Sequence, residues 1–201
     1  MADNTTLNAG TGGDVIASDD IGGVKHQRVK VEFGADGSAT DVSAANPLPS
    51  AVYSRTSKVA VTPTLTAASA YAAGNVVGGI MTFSGVFDSA NAGMLQAIRV
   101  RAKSVQTAGL KLYLFPSSPA GTLTDKTAPA LSATDVFNAI GPFTLGSADS
   151  GLGTETTWTL EGIGAAIVGS AANLYGVLVT TGTPTWGSTA DVNVELTVLK
   201  D

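Results

Sequence analysis

The chain contains no cysteine, so disulfides, thiolate metal centres and cysteine nucleophiles are all excluded. It has one histidine in 201 residues, which removes most routes to imidazole-based acid–base chemistry or metal ligation. Aromatic residues make up 6% of the chain and charged residues 13%, the latter about half the share usual for a soluble domain. A surface so poor in charge suggests that part of it is covered by a partner. No apolar run approaches the roughly 20 residues needed to span a bilayer, so no membrane contact is expected. The opening MADNTTLNAGTGGD has neither the basic start nor the apolar stretch of a secretory signal, which implies a protein made and assembled in the cytoplasm. The formal net charge of −5 argues against general affinity for phosphate backbones, and no direct nucleic-acid contact is expected.

What is abundant is small, β-branched and turn-forming. Hydrophobic residues account for 44% and glycine for 24 residues, which points to many short strands around a real core. The expected fold class is all-β: a β-sandwich or jelly-roll domain preceded by an extended N-terminal arm and a small β-hairpin module. Residues 1–23 read as the arm, with Val15, Ile16 and Ile21 as isolated apolar anchors and too little apolar surface to order alone. Residues 24–50 read as the hairpin module and linker. In VKHQRVKVEF, Val29, Val31 and Phe33 alternate with Arg28, Lys30 and Glu32 with the two-residue period of a half-buried strand. Asp36-Gly37 supplies a hairpin turn, and Pro47 and Pro49 close the module at a linker over 47–50.

Residues 51–201 read as the sandwich. SKVAVTP suits an edge strand because Pro63 cannot donate to a ladder. NVVGGIMTFSGVF reads as a strand bent or bulged at its glycines. In MLQAIRVRAKSV, Ile98, Val100 and Ala102 oppose Arg99, Arg101 and Lys103; in LKLYLF, Leu110, Leu112 and Leu114 oppose Lys111, Tyr113 and Phe115. Aromatics on that nominally outer face imply contact with a loop or a neighbouring subunit. LSATDVFNAI (131–140) carries a helix start, with Ser132 or Thr134 as cap and Asp135 near the positive end of the helix. GPFTLG, TETTWTLEGI, AAIVG, NLYGVLVTTG and ADVNVELTVL then read as successive short strands, with Trp158 in the core.

The search for chemistry returns no catalytic, cofactor or metal residues. His26 is followed by Arg28 and Lys30, cations that depress its proton affinity, and no carboxylate is spaced to orient it; a structural or interface role is expected. The loop aspartates lack the spaced pattern of a calcium loop. Glu155 and Glu161 lie six apart on one strand face around Trp158, the one pairing that suggests glycoside hydrolysis, in a chain short of sugar-stacking aromatics. Residues 51–104 hold five basic groups (Arg55, Lys58, Arg99, Arg101, Lys103) against Asp88, a potential seam toward an acidic partner or simply a solvated strand face.

The segment GDVIASDDIGGVKHQRVKVEFGADGSATDVSAANPLP (13–49), with its core DDIGGVKHQRVKV and closing NPLP, resembles a segment near the start of many tailed-phage virion proteins. LKLYLFPSSPAGTLTD and LYGVLVTTGTPTWGSTADVNVELTVL are similar, more loosely, to phage decoration or fibre domains. The resemblance implies an attachment module ahead of an outward domain. Its expected role is a non-enzymatic capsid decoration protein of the virion, a homotrimer that binds the major capsid protein and takes no cofactor. The alternative is a head or tail fibre or adaptor that meets a host receptor through loops 116–135 and 183–190. Ile16, Ile21, Val24, His26, Arg28 and Lys30 are the candidate partner-binding residues.

Overall fold

The computed structural model describes residues 5–6, 15–16, 18–27, 29, 31–48, 56–88, 91–146, 148–149 and 153–200. It is all-β, with one short helix among the described residues. The chain divides into two compact units, Met1–Tyr53 and Ser54–Asp201.

The first unit consists of short antiparallel pairs. Strand β1 (Thr5–Thr6) pairs with β2 (Val15–Ile16), β3 (Ser18–Ile21) with β4 (Val24–Gln27), and β5 (Glu32–Phe33) with β6 (Thr40–Asp41). The single strand expected over 24–33 is therefore two, because β4 turns back onto β3 while β5 pairs forward onto β6. The arm boundary expected at residue 23 falls inside a hairpin turn. Gly22 and Gly23 both take positive φ, +62° and +85°, the conformation that tight two-residue hairpins require and glycine adopts at no steric cost. The turn expected at Asp36-Gly37 is present: Gly37 has φ +80° and the Ser38 amide donates to the Ala35 carbonyl at 2.9 Å. Of the expected linker 47–50, residues 49 and 50 lie outside the described residues.

The second unit has eight strands: β7 (Thr56–Val61), β8 (Val76–Phe83), β9 (Ala92–Ala102), β10 (Leu110–Phe115), β11 (Ile140–Leu145), β12 (Thr156–Val168), β13 (Leu174–Thr180) and β14 (Val192–Lys200). They form two four-stranded antiparallel sheets, ordered β11-β10-β13-β8 and β12-β9-β14-β7. The pairing is nested. First pairs with last (β7–β14), second with second-last (β8–β13), then β9–β12 and β10–β11. The chain thus doubles back on itself about residues 116–139, and the pairs β9–β14 and β10–β13 roll the doubled ribbon into two sheets.

Strand alternation builds the core. Leu110, Leu112 and Leu114 of β10, Ile98 and Val100 of β9, and Val192, Val194, Leu196 and Val198 of β14 are all buried in one cluster that draws on both sheets, so the sheets face each other as a sandwich. Burying each such side chain contributes about 1.5–3 kcal/mol. Trp158 is fully buried, its indole N–H donating to the Ala108 carbonyl at 3.0 Å, so burial leaves no polar atom unpaired. The edge position expected for β7 is observed. So is the bulge in β8, where Gly78 and Gly79 have φ +79° and +76° opposite a register shift at Val177/Leu178. The strands expected separately in TETTWTLEGI and AAIVG are one, β12, whose register shifts between Glu161 and Ala165. Gly162 and Gly164 there have positive φ, so the glycines bend a continuous strand instead of ending it.

The expected helix is α1 (Ala133–Asn138). Ser132 caps it: its hydroxyl accepts from the Asp135 amide at 3.1 Å while the Asp135 carboxylate accepts from the Ser132 amide at 3.2 Å, a reciprocal capping box. Residues 116–139 pass over the outer face of the β11-β10-β13-β8 sheet. There Leu123, Leu131 and Ala139 form a second apolar cluster with Phe115, Tyr113, Val76, Val177 and Val179. The aromatics expected to meet a loop or a subunit meet this loop.

Candidate interaction site

The β3–β4 hairpin gathers three of the six expected partner-binding residues. Ile21 lies opposite Val24 and Asp19 opposite His26, and residues two apart in a strand share a face; Ile21, Val24, Asp19 and His26 therefore occupy one face. The other face carries Asp20 and Lys25, paired at 3.1 Å. Asp20 also accepts from the Gly23 amide at 2.9 Å. The Lys25 ammonium first, and that amide second, hold the Asp20 carboxyl below its ordinary range. Asp20 and Lys25 thus fix the turn and leave the Ile21 face to solvent. Ile16 is the end of β2, opposite Thr5, and its side chain is not described; Arg28 and Lys30 lie outside the described residues.

Most large apolar side chains described in this unit are exposed. Ile21 is 63% exposed, Val24 58%, Val29 76%, Val31 51% and Leu48 53%. No large apolar side chain described in the unit is fully buried. Reading the arm as unstructured missed the β3–β4 hairpin; the signal was IGGV, two glycines between apolar residues, a known hairpin cue.

The second unit spends its polar groups on structure. The Asp125 carboxylate accepts from the Tyr71 hydroxyl at 2.7 Å, the Thr66 amide at 2.7 Å and the Gly78 amide at 2.6 Å. Burial pushes the Asp125 carboxyl up, but the bonds from Tyr71, Gly78 and Thr66 outweigh it and hold the group below its usual range. Tyr71 is shifted the opposite way, upward, by burial first and by its bond to Asp125 second. Asp191 similarly accepts from the Ser104 and Gly187 amides at 2.9 and 2.6 Å. Trp186, edge-on to Tyr71 with ring centroids 6.2 Å apart, is fully buried. Backbone bonds join Ala68 to Trp186 and Tyr71 to Pro184. Pro184 and Trp186 thus anchor loop 183–190 to residues 65–71, while its other residues are exposed.

The basic run on β9 is compensated by neighbouring strands. Arg99 reaches Glu161 at 3.6 Å and Glu195 at 3.8 Å, and Arg101 reaches Glu195 at 3.5 Å. This charge ladder accounts for Arg99 and Arg101 without a partner. Glu155 and Glu161 are both exposed, and six residues of strand rise separate them by about 20 Å, well beyond the roughly 5–9.5 Å that glycosidase carboxylates use. Among the described residues no group of three or more His, Cys, Asp or Glu is placed to hold a metal ion, and no helix is long and apolar enough to cross a membrane.

No known protein family, curated protein or solved structure matches this chain.

Proposed function

We propose that this chain is a non-enzymatic structural protein of a tailed-phage particle: a capsid decoration protein that binds the major capsid protein through its N-terminal unit and holds its sandwich outward. The observation that carries this reading is the outward-facing apolar set Ile21, Val24, Val29, Val31 and Leu48. Two-stranded hairpins are marginal alone, and strands with free edges gain hydrogen bonds and burial by adding to a partner's sheet. The likeness of residues 13–49 to the leading segment of tailed-phage virion proteins points the same way.

The sandwich suits the outward role. We read its strand orders, β7-β14-β9-β12 and β8-β13-β10-β11, as those of a jelly roll, an architecture that viral capsid and lectin domains share; this is fold-level analogy and specifies no partner. The domain's action is mechanical. A rigid body tethered to the shell adds buried area between capsomers that resists pressure from within. A homotrimer fits, since threefold clustering hides sheet edges that would otherwise invite aggregation.

The test is the copy number of this protein in purified virions, by quantitative mass spectrometry against the major capsid protein. The expected result is one copy per one to a few capsid subunits. A handful of copies per particle overturns decoration and assigns the chain to a fibre or adaptor.

A further inference from the structure

The loop that crosses the β11-β10-β13-β8 sheet leaves an open apolar cleft between itself and the sheet. The cleft has a volume of about 320 Å³ and is floored by Phe115, Val177 and Val179, walled by Leu131 and Pro142, and bordered by Val136 of α1. No charged side chain lines it, and Tyr113 alone of its lining side chains carries a polar atom. The cleft is open to solvent at its rim, where Pro129, Val136 and Pro142 are exposed, so its apolar lining is wet unless something occupies it.

Polar ties fasten the loop beside it. The loop is fastened to the sheet edge by Val76 N–H to the Thr127 carbonyl at 2.8 Å and Lys126 N–H to the Val76 carbonyl at 2.9 Å. Asp125 adds its bond to Gly78 on β8. Beyond the cavity, the buried Asp135 carboxylate clasps the helix start and the Ala120 amide at 3.1 Å. These hydrogen bonds hold the loop to the sheet together with the apolar contacts of Leu123, Leu131 and Ala139. Val136 remains 58% exposed on the lining, and its neighbour Phe137 is 89% exposed.

The geometry points to a binding site for a small, uncharged, apolar ligand, a bicyclic aromatic or branched hydrocarbon group, between α1 and the outer sheet face. Its volume of about 320 Å³ lies at the lower end of the roughly 300–1,000 Å³ usual for small-molecule clefts with apolar linings. The lining offers burial without a charge partner, so a charged moiety would be rejected for want of compensation. Such a ligand would dock against Val177 and Val179 and cover Val136. This inference stands apart from the attachment proposal, which concerns the other unit.

The test uses the full chain and indole as probe, followed by methyl NMR of the valines. Saturable shifts confined to Val136, Val177 and Val179, with affinity weakened at least tenfold in Ala139→Trp, which fills the cavity, support the site. Val136→Phe is the second variant, used if Ala139→Trp fails to fold. Shifts absent up to the solubility of indole, shifts spread over valines elsewhere, or unchanged affinity in a folded variant overturn it. If the same methyls instead respond to protein concentration alone, a second copy fills the cavity and the small-ligand site is overturned.

Discussion

In Ser54–Asp201 the strands run six to thirteen residues and the alternate side chains of β9, β10 and β14 reach a shared core, whereas in Met1–Tyr53 no described strand exceeds four residues and the described valines and Ile21 are exposed. Charge follows the same division. The first unit holds three Lys or Arg against seven Asp or Glu, and the second eight against nine, so most of the net charge belongs to the first unit, whose described residues form no buried apolar cluster. A chain orders its backbone only where burial offsets the entropy lost, about 1–2 kcal/mol per residue. The second unit meets that cost internally. The first leaves most of its described large apolar side chains exposed, and this difference is what the attachment proposal rests on.

The comparison is broken most forcefully from the core. Trp158→Ala is expected to destabilise the sandwich by about 3–5 kcal/mol, measured by denaturant unfolding, while amide exchange in the β3–β4 hairpin stays as it was. A hairpin that loosened in parallel would show that the units fold as one. Next in size is Asp125→Asn, which weakens acceptance from Tyr71, Thr66 and Gly78 at a cost of about 2 kcal/mol. Because the folded Asp125 carboxyl is held below its unfolded value of about 3.9, its contribution is present above that pH and is lost as pH falls through the lowered value. Wild type should therefore lose stability below about pH 4 more steeply than the Asn variant, by thermal melts across that range.

Smaller effects sharpen the contrast. Arg99→Ala removes exposed ion pairs to Glu161 and Glu195 and should cost about 0.5 kcal/mol, less at high salt. Ile21→Asp with Val24→Asp should change stability least, by under about 0.5 kcal/mol, yet reduce co-sedimentation with particles at least tenfold. Intact sedimentation of that double variant would remove the hairpin face from the attachment surface.

The parts legible in the sequence are those whose cause is local. The alternation of β10 and β14, the edge position of β7 before Pro63, and the Ser132–Asp135 capping box each follow from residues within a few positions of one another. SDDI, by contrast, has no alternation to mark β3, and only its pairing with VKHQ across Gly22-Gly23 makes it a strand. The glycines at 162 and 164 looked like an end to β12 because a bend and a break use the same residue. The Asp125 site was out of reach, since Tyr71 and Asp125 are 54 positions apart and no local pattern joins them. For the candidate site, Ile21, Val24 and His26 were found as residues, but their common face was not. That face depends on register, which the turn sets. The cavity had one trace: Tyr113 and Phe115 on the side of β10 that should have been wet.

The nested pairing has a mechanical corollary. The second unit's first strand, β7, lies antiparallel along β14, with Thr56 opposite Leu199 and Val61 opposite Val194, and β14 is an interior strand of its sheet. Force applied along the axis of β7 would load that whole ladder in shear, so its bonds would yield together instead of unzipping one by one. The load then passes into the middle of the sheet.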